Sequence, residues 1–259
     1  MRLQALIFDV DGTLAETEEM HRAAFNAAFK HAGLDWKWDR RLYGRLLKIA
    51  GGKERIRYFI TTYFRIAPSA DLELLITDLH RKKTTIYADM IADGKLGLRV
   101  GVREVIEGAR SQGLRLAIAT TTSRPNVDAL LRTTLGIDGT KYFEVIAAGD
   151  CVANKKPSPE IYLQVLKTLD LKGAACLAIE DTEIGLRAAR MASIPTLVTV
   201  SRYSRGQDFE GAVAAVSALT DFAVPRSRKA PHSAGDLLTA LRELHDKAGR
   251  RGLKALSGA

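Results

Sequence analysis

Apolar residues fall into two rhythms along the chain. After residue 100, short continuous runs recur: LRLAIAT (114–120), FEVIAA (143–148), CLAIE (176–180) and TLVTV (196–200). Each is rich in Ile, Val, Ala and Leu and is followed by turn residues. Uninterrupted apolar runs of this length suit strands buried on both faces of a sheet. The segments between and beside them, 101–112, 125–135, 158–169 and 183–192, have helical spacing. Strand alternating with helix predicts βαβ units and a parallel sheet covered on both sides. LQALIFD (3–9) adds one more strand of the same kind.

Residues 15 to about 92 break this rhythm. ETEEMHRAAFNAAFKHAG places Phe25 and Phe29 four apart, and DLELLITDLHRKKTTIYADMI is amphipathic. No strand is expected there. A helical module is therefore expected between the first strand and the rest of the α/β domain. The return segment ADGKLGLRVGV (92–102) carries Gly94, Gly97 and Gly101 and reads as a linker. Linkers near 14–18 and 93–99 would let the helical module move as a lid. The expected organisation is an α/β core of residues 1–14 and 100–259 with a helical cap of residues 15–99 and flanking hinges.

Composition fits a soluble globular chain of 259 residues, 46% hydrophobic and 27% charged. The longest mildly apolar stretch, GAVAAVSALTDFAV (211–224), is shorter than the ~20 residues of a membrane helix and carries Asp221. No secretory signal is read at the N-terminus, so a cytoplasmic location is expected. Cys151 and Cys176 have no CxxC neighbour and read as two reduced thiols. Net charge is +9, and residues 225–259 hold eight Lys/Arg against three Asp/Glu, which places +5 of it in the tail. A basic balance suits nucleic acid, anionic surfaces or phosphorylated small molecules. No reading motif or aromatic interleaving accompanies the charge, so neither a nucleic-acid nor a membrane partner is expected. AGDLLTALRELHDKAG reads as a final amphipathic helix packing on the domain, and PRSRKAPHS (225–233) as a mobile connector. A monomer is expected.

In an open parallel sheet, ligands bind outside the carboxyl ends of the strands. Those ends carry the chemistry. The first run ends in FDVDGT, with Asp9 and Asp11; alternate residues of an extended chain point the same way, so the two acids can share a site. Two carboxylates that close need a cation or a proton between them. The next run ends in Thr120, Thr121, Thr122 and Ser123; NKKPSPEIY supplies Lys155 and Lys156; AIEDTEIG supplies Glu180 and Asp181. Hard carboxylate oxygens suit Mg²⁺, while lysine and hydroxyl suit an anion. Together they describe a magnesium-assisted phosphoryl-transfer site. Taken singly each has an ordinary explanation: Asp181 as a helix N-cap, Thr120 as a strand-end hydroxyl, Lys155 as solvated surface. There is no GxxxxGK[ST], so this is not a P-loop chain.

DVDGT, the hydroxyl after the second run, KKP and ED, in this order, resemble the haloacid-dehalogenase superfamily over roughly residues 1–222. The helical insert matches that family's C1-type cap. FDVDGTLAETEEMHRAAFN, GGKERI (51–56), ATTTSRPNV and KKPSPEIY are similar to the CbbY-type branch, close to the β-phosphoglucomutase and phosphoglycolate-phosphatase branches. CbbY-type proteins are sugar-phosphate phosphatases associated with the Calvin cycle, acting on xylulose-1,5-bisphosphate, an inhibitor of Rubisco. The resemblance implies a Rossmann-like parallel-sheet core with an inserted cap, and a Mg²⁺-dependent phosphatase working through an aspartyl-phosphate. In it Asp9 is the nucleophile, already ionised at neutral pH. Asp11 is the acid and base, protonated at first, with nearby acids raising its pKa as needed. The Asp11 backbone carbonyl joins Asp9, Glu180 and Asp181 around the metal. Thr120 donates to the phosphoryl oxygens and Lys156 neutralises charge; Thr121 and Lys155 face the substrate.

Glu16, Glu18 and Glu19 begin the first cap helix, where acids suit the helix dipole. Glu18 and His21 lie three apart and are candidates for sugar contact, with surface placement the competing reading. In GGKERI, Gly51 and Gly52 expose backbone N–H groups before a helix, and Lys53 and Arg55 add charge. That loop is the candidate second-phosphate pocket of a bisphosphate; the competing reading is a helix start with two solvated bases. A phosphomutase would use the same Asp9–Asp11 pair. A non-catalytic relative would be expected to have lost one of these groups.

Overall fold

The computed structural model describes residues 2–94, 96–221 and 234–257, with side chains to residue 250. The connector 225–233 lies outside the described residues. Six strands form one parallel sheet: β1 (Ala5–Phe8), β2 (Arg115–Thr120), β3 (Val145–Ala148), β4 (Cys176–Glu180), β5 (Thr196–Thr199) and β6 (Ala214–Val216), in the order β3-β2-β1-β4-β5-β6. Five helices follow the pattern read from the apolar runs: α5 (Val102–Ser111), α6 (Arg124–Leu135), α7 (Glu160–Leu169), α8 (Glu183–Met191) and α9 (Ala234–Ser257). Of the stretch 211–224, the described residues 211–221 form no helix. Residues 214–216 pair with β5, Leu197 opposite Ala214, and close the sheet's edge. No described helix is long and apolar enough to cross a membrane.

The period-two alternation of the strands sorts large and small residues onto different faces. Leu6, Phe8, Leu116, Ile118, Leu177 and Ile179 pack with α5, α6 and α9. Ala5, Ile7, Ala117, Ala119, Cys176 and Ala178 face the other way, where Ile161, Tyr162 and Val165 of α7 lie close. Small strand residues let the α7 layer approach, and so bring Tyr162 near the strand ends. Leu237, Leu238 and Leu241 of α9 are fully buried in the first layer. A Cβ on Gly108 would come within 2.8 Å of the Ala234 carbonyl oxygen, so this glycine permits the close crossing of α5 and α9.

Four helices stand between β1 and α5: α1 (Glu18–His31), α2 (Arg40–Leu46), α3 (Gly52–Tyr63) and α4 (Ala70–Ala92). They enclose a separate apolar cluster. Trp38 is its centre, with ring centroids 4.7 Å from Phe25, 5.0 Å from Phe29 and 5.4 Å from Phe59. Asn26 fixes the backbone of Trp38 from both sides, donating to its carbonyl at 2.9 Å and accepting from its amide at 2.7 Å. The two crossings between helices and sheet run side by side, the Arg99 amide donating to the Leu14 carbonyl at 2.8 Å. The Arg99 guanidinium also donates to the carbonyls of Gly12, Thr199, Val200 and Ser217, the last three at 2.8 Å.

Candidate active site

Strand order reverses around β1, which lies between β2 and β4. The register sets Phe8 opposite Ile118 on one side and Ile179 on the other. Parallel, in-step strands therefore deliver Asp9, Thr120 and Glu180 to one edge, where ligands bind in open α/β sheets. Asp9, Thr120, Lys156, Glu180 and Asp181 are all buried there.

Lys156 joins two of these acids. Its ammonium lies 2.6 Å from Asp9 Oδ1 and 2.5 Å from Glu180 Oε1. Burial alone would lower the lysine's pKa, but Asp9 and Glu180 more than offset this and raise it, so Lys156 stays charged. Tyr162 donates to the same Glu180 oxygen at 2.5 Å, and the Asp181 amide donates to the other at 3.3 Å. Glu180 thus holds Lys156 in place. A Cβ on Gly185 would lie 2.1 Å from Glu180 Oε2, so the start of α8 must be bare there.

Asp9, Glu180 and Asp181 can each bring one oxygen within 4.8 Å of the others. Burial pushes the Asp9 carboxyl up to about 8, against the lowering pull of Lys156. This corrects the expectation that Asp9 is already ionised at neutral pH: the charged nucleophile needs a cation beside it. Burial also raises Asp181 well above its ordinary value. Three buried carboxylates against one ammonium leave an excess of negative charge, and hard oxygens are what a Mg²⁺-sized cation takes. Gly12 belongs to this arrangement: its φ is +80°, and a Cβ would meet Asp181 Oδ2 at 2.1 Å. The donor set fits a divalent cation.

Asp11 sits apart from that cluster, among donors. Thr17 donates to Oδ1 at 2.5 Å, His21 Nε2 lies 2.9 Å from the same oxygen, and Thr122 donates to Oδ2. Burial would raise this carboxyl, but His21 and the three hydrogen bonds outweigh it and hold it well below the carboxylate range. This corrects the expectation that nearby acids would keep Asp11 protonated: its neighbours donate to it, and the ionised form is the stabilised one. His21 is itself pushed down by burial, and its ring stacks on Tyr87 with centroids 3.9 Å apart. Neutral His21 with Nε2–H toward Asp11 must accept at Nδ1, where the Lys83 ammonium lies at 2.7 Å. Lys83 is buried, and desolvation brings its pKa down to about 7.

These groups line one cleft with about 810 Å³ of empty space, part of it open to solvent. Asp9, Asp11, Thr120, Thr121, Lys156 and Asp181 form its sheet side; Glu18, His21, Gly51, Gly52 and Arg55 form its helical side. Glu18 accepts from Tyr43 at 2.7 Å. Arg55 is buried and turned back onto the chain, donating to the Leu46 and Ile49 carbonyls at 3.3 Å and to Tyr43 at 3.2 Å.

Lys155 does not line the cleft, and Lys53 lines an adjoining pocket that shares Gly51, Gly52, His80, Thr121 and Ser123 with it. Lys53 lies 2.8 Å from Asp150, and Lys155 bonds the Gly149 carbonyl at 2.6 Å and Asp150 at 2.9 Å. The reason is helical geometry: positions 52 and 55 of α3 share a face, and position 53 is turned about 100° from 52. Sequence reasoning also passed over Thr17, Lys83, Tyr162, His80 and Asn126. Lys83 had a signal. It interrupts the buried stripe Leu72, Ile76, Leu79, Tyr87 and Ile91 of α4, where an apolar residue belongs.

The sequence profile of the haloacid dehalogenase-like hydrolases matches residues 3–193. Protein CbbY of Rhodobacter capsulatus is 52% identical over 212 residues, covering 82% of this chain and 92% of its own. The plasmid-borne protein CbbY of Cupriavidus necator is 48% identical over 251 residues, covering 94% and 97%. Among solved structures, CbbY from Rhodobacter sphaeroides in complex with phosphate superposes with a TM-score of 0.79 at 45% identity, over 85% of this chain and 96% of that one. A mutant of the same CbbY has been solved in complex with xylulose-(1,5)bisphosphate.

Proposed function

Because this chain belongs to the haloacid dehalogenase-like hydrolase family, we propose that it is a Mg²⁺-dependent phosphatase of small sugar phosphates, with xylulose-1,5-bisphosphate its preferred substrate. One observation carries the reading. Asp9, Asp11, Thr120 and Lys156 converge with the Asp9–Glu180–Asp181 cluster in a cleft that also has cationic groups, Arg55 and Lys83, on its helical side. A bisphosphate needs positive charge at both ends. The likeness to CbbY, solved with that bisphosphate in a mutant form, supports the choice of sugar.

Asp9, Asp181 and the Asp11 carbonyl would hold Mg²⁺, with Glu180 beside them; the ion supplies charge neutralisation to the transferring group. Asp9 attacks phosphorus through its carboxylate and becomes an aspartyl-phosphate while the ester oxygen leaves. Lys156 stands against Asp9 Oδ1 and offsets the charge of nucleophile and phosphoryl group together. The Thr120 and Thr121 hydroxyls lie on the sheet side of the cleft as donors to the phosphoryl oxygens. Asp11 must hand a proton to the leaving oxygen. The Lys83–His21–Asp11 line supplies it: Lys83 gives a proton to Nδ1, His21 gives its Nε2 proton to Asp11, and Lys83 is left neutral. Asp11 then takes a proton from the water that cleaves the aspartyl-phosphate.

The test is phosphate release with Mg²⁺ from xylulose-1,5-bisphosphate, ribulose-1,5-bisphosphate, β-glucose-1-phosphate and phosphoglycolate, with Asp9→Asn protein as the blank. Preference for the xylulose bisphosphate, absent from the blank, is expected. Conversion of β-glucose-1-phosphate without phosphate release would replace the phosphatase reading with a mutase. Equal activity on all four would remove the substrate assignment.

A further inference from the structure

The loop after β5 reaches from the sheet side of the molecule to the four helices, and it is held at both ends. The Ser201 amide and hydroxyl donate to Ser204 Oγ at 2.9 and 3.1 Å, and Gln207 Oε1 accepts from the Glu183 amide at the start of α8 at 2.8 Å. Between them Tyr203 packs on the apolar cluster of the helices. Its ring meets the Tyr43 ring edge to face, centroids 5.7 Å apart, and lies 3.7 Å from where a Cβ on Gly44 would stand. Its hydroxyl donates to Glu19 Oε1, which also accepts from Arg40 at 3.1 Å. Tyr43 in turn donates to Glu18 at 2.7 Å and accepts from Arg55 at 3.2 Å, and both of those side chains line the cleft. The Lys53–Asp150 pair also joins the helices to the sheet side, but its carboxylate is 61% exposed, and exposed pairs contribute little.

We propose that Tyr203 is a positioning residue for the phosphatase: bonded to Glu19 and set against Tyr43, it fixes α1 and α2 on the sheet and so sets the span between Asp9 and the Glu18–Arg55 pair. This rests on the phosphatase reading above and goes beyond it by naming a residue that acts through others. A tyrosine suits the task. Its ring is a large, rigid contact with few rotatable bonds, and its polar tip takes a hydrogen bond where the contact meets water. Tyr203 lines the cleft as well, but its hydroxyl is committed to Glu19. A substrate that touches both sides of the cleft at once needs the span held, and a misplacement of about 1 Å can cost about 100-fold in rate. A phosphate ester served by Asp9, Thr120 and Lys156 alone does not depend on it.

The test uses two variants and two substrates. Tyr203→Phe keeps the ring and removes the hydroxyl; Tyr203→Ala removes both. Phosphate release is followed from xylulose-1,5-bisphosphate and from p-nitrophenyl phosphate, whose one phosphate is served by the sheet side. On the bisphosphate, kcat/KM is expected to fall about fivefold for Tyr203→Phe and about 10- to 100-fold for Tyr203→Ala, chiefly as a rise in KM, because groups that bind substrate have been displaced. On p-nitrophenyl phosphate the loss for Tyr203→Ala is expected to be smaller by at least about fivefold. In a Glu19→Ala background, Tyr203→Phe should cost less than about twofold more, because its partner is already gone. The same loss with and without Glu19 would mean that the hydroxyl meets the substrate directly, and would overturn the proposal. So would a fall in kcat with KM unmoved, the mark of less folded enzyme, or equal losses on the two substrates; each of these leaves the phosphatase reading standing. No phosphate release from the bisphosphate by the unaltered enzyme would overturn that reading, and the positioning role with it.

Discussion

Lys83→Met is the substitution for which the structure gives both a sign and a size. The Lys83 ammonium is buried on α4, 2.7 Å from His21 Nδ1, with the Phe25 and Tyr87 rings 4.9 and 5.0 Å away. Desolvation lowers its pKa from 10.5 to about 7. Between those values the unfolded chain holds a proton that the folded chain has released, so stability rises with pH across that window. At about 1.36 kcal/mol per pH unit, the full cost of the buried charge, reached well below pH 7, is about 5 kcal/mol. About 2 kcal/mol of it is recovered between pH 7 and pH 9. The two ring faces favour the ammonium by about 1 kcal/mol and narrow this further. Methionine carries a similar chain without the charge. Melting temperatures of parent and variant at pH 7, 8 and 9 should therefore converge. The variant is the more stable at pH 7, and the gap closes by about 4–8 °C for a chain of this size. Lys83 also depresses His21, but that ring titrates below the window. Turnover by the variant should fall, since Asp11 loses the far end of its donor line. A gap constant to within about 1 °C from pH 7 to 9 would refute the view of Lys83 as a desolvated amine.

Three further outcomes follow from the same geometry. Asp9→Asn should abolish phosphate release and, in chelating buffer near neutral pH, melt above the parent, because it removes a buried carboxyl raised to about 8; Mg²⁺ should raise the parent's melting temperature more than the variant's. Gly12→Ala should lose most activity while folding poorly, since its φ of +80° strains any side chain and its Cβ would meet Asp181 Oδ2 at 2.1 Å; thermal unfolding and phosphate release check it. Arg99→Lys cannot reach four carbonyls at once and should cost about 2–4 kcal/mol, read as a midpoint shift in urea with unchanged slope.

What was legible in the sequence was what repeats or alternates. The apolar runs gave five strands to within a residue or two, because a strand buried on both faces has no polar positions to blur its ends. Strand ends then gave Asp9, Thr120, Glu180 and Asp181, because in a parallel sheet the register alone brings them level. β6 was missed: at three residues on the sheet edge, with Ala215 exposed, it has neither length nor burial to mark it. Phe143 looked like strand but packs edge-on against Phe8 from just outside β3, centroids 6.4 Å apart.

The cap side of the cleft was read less well, for a different reason. Side chains there are placed by helix rotation and by contacts between segments far apart in sequence, and neither leaves a local signature. Two residues, about 200° of helix rotation, separate Arg55, in the cleft, from Lys53, which pairs with Asp150 across 97 positions. The surroundings of Asp11 show the same limit. From sequence, its neighbours were acids. In the structure, its oxygens meet Thr17, His21 and Thr122, which lie 6, 10 and 111 residues away, and behind His21 stands Lys83. Composition near a carboxylate counts charges, whereas its protonation is decided by which of them point donors at it. A lysine in a buried stripe is therefore the more informative sign: it costs folding stability, and it sits where a proton has to be met.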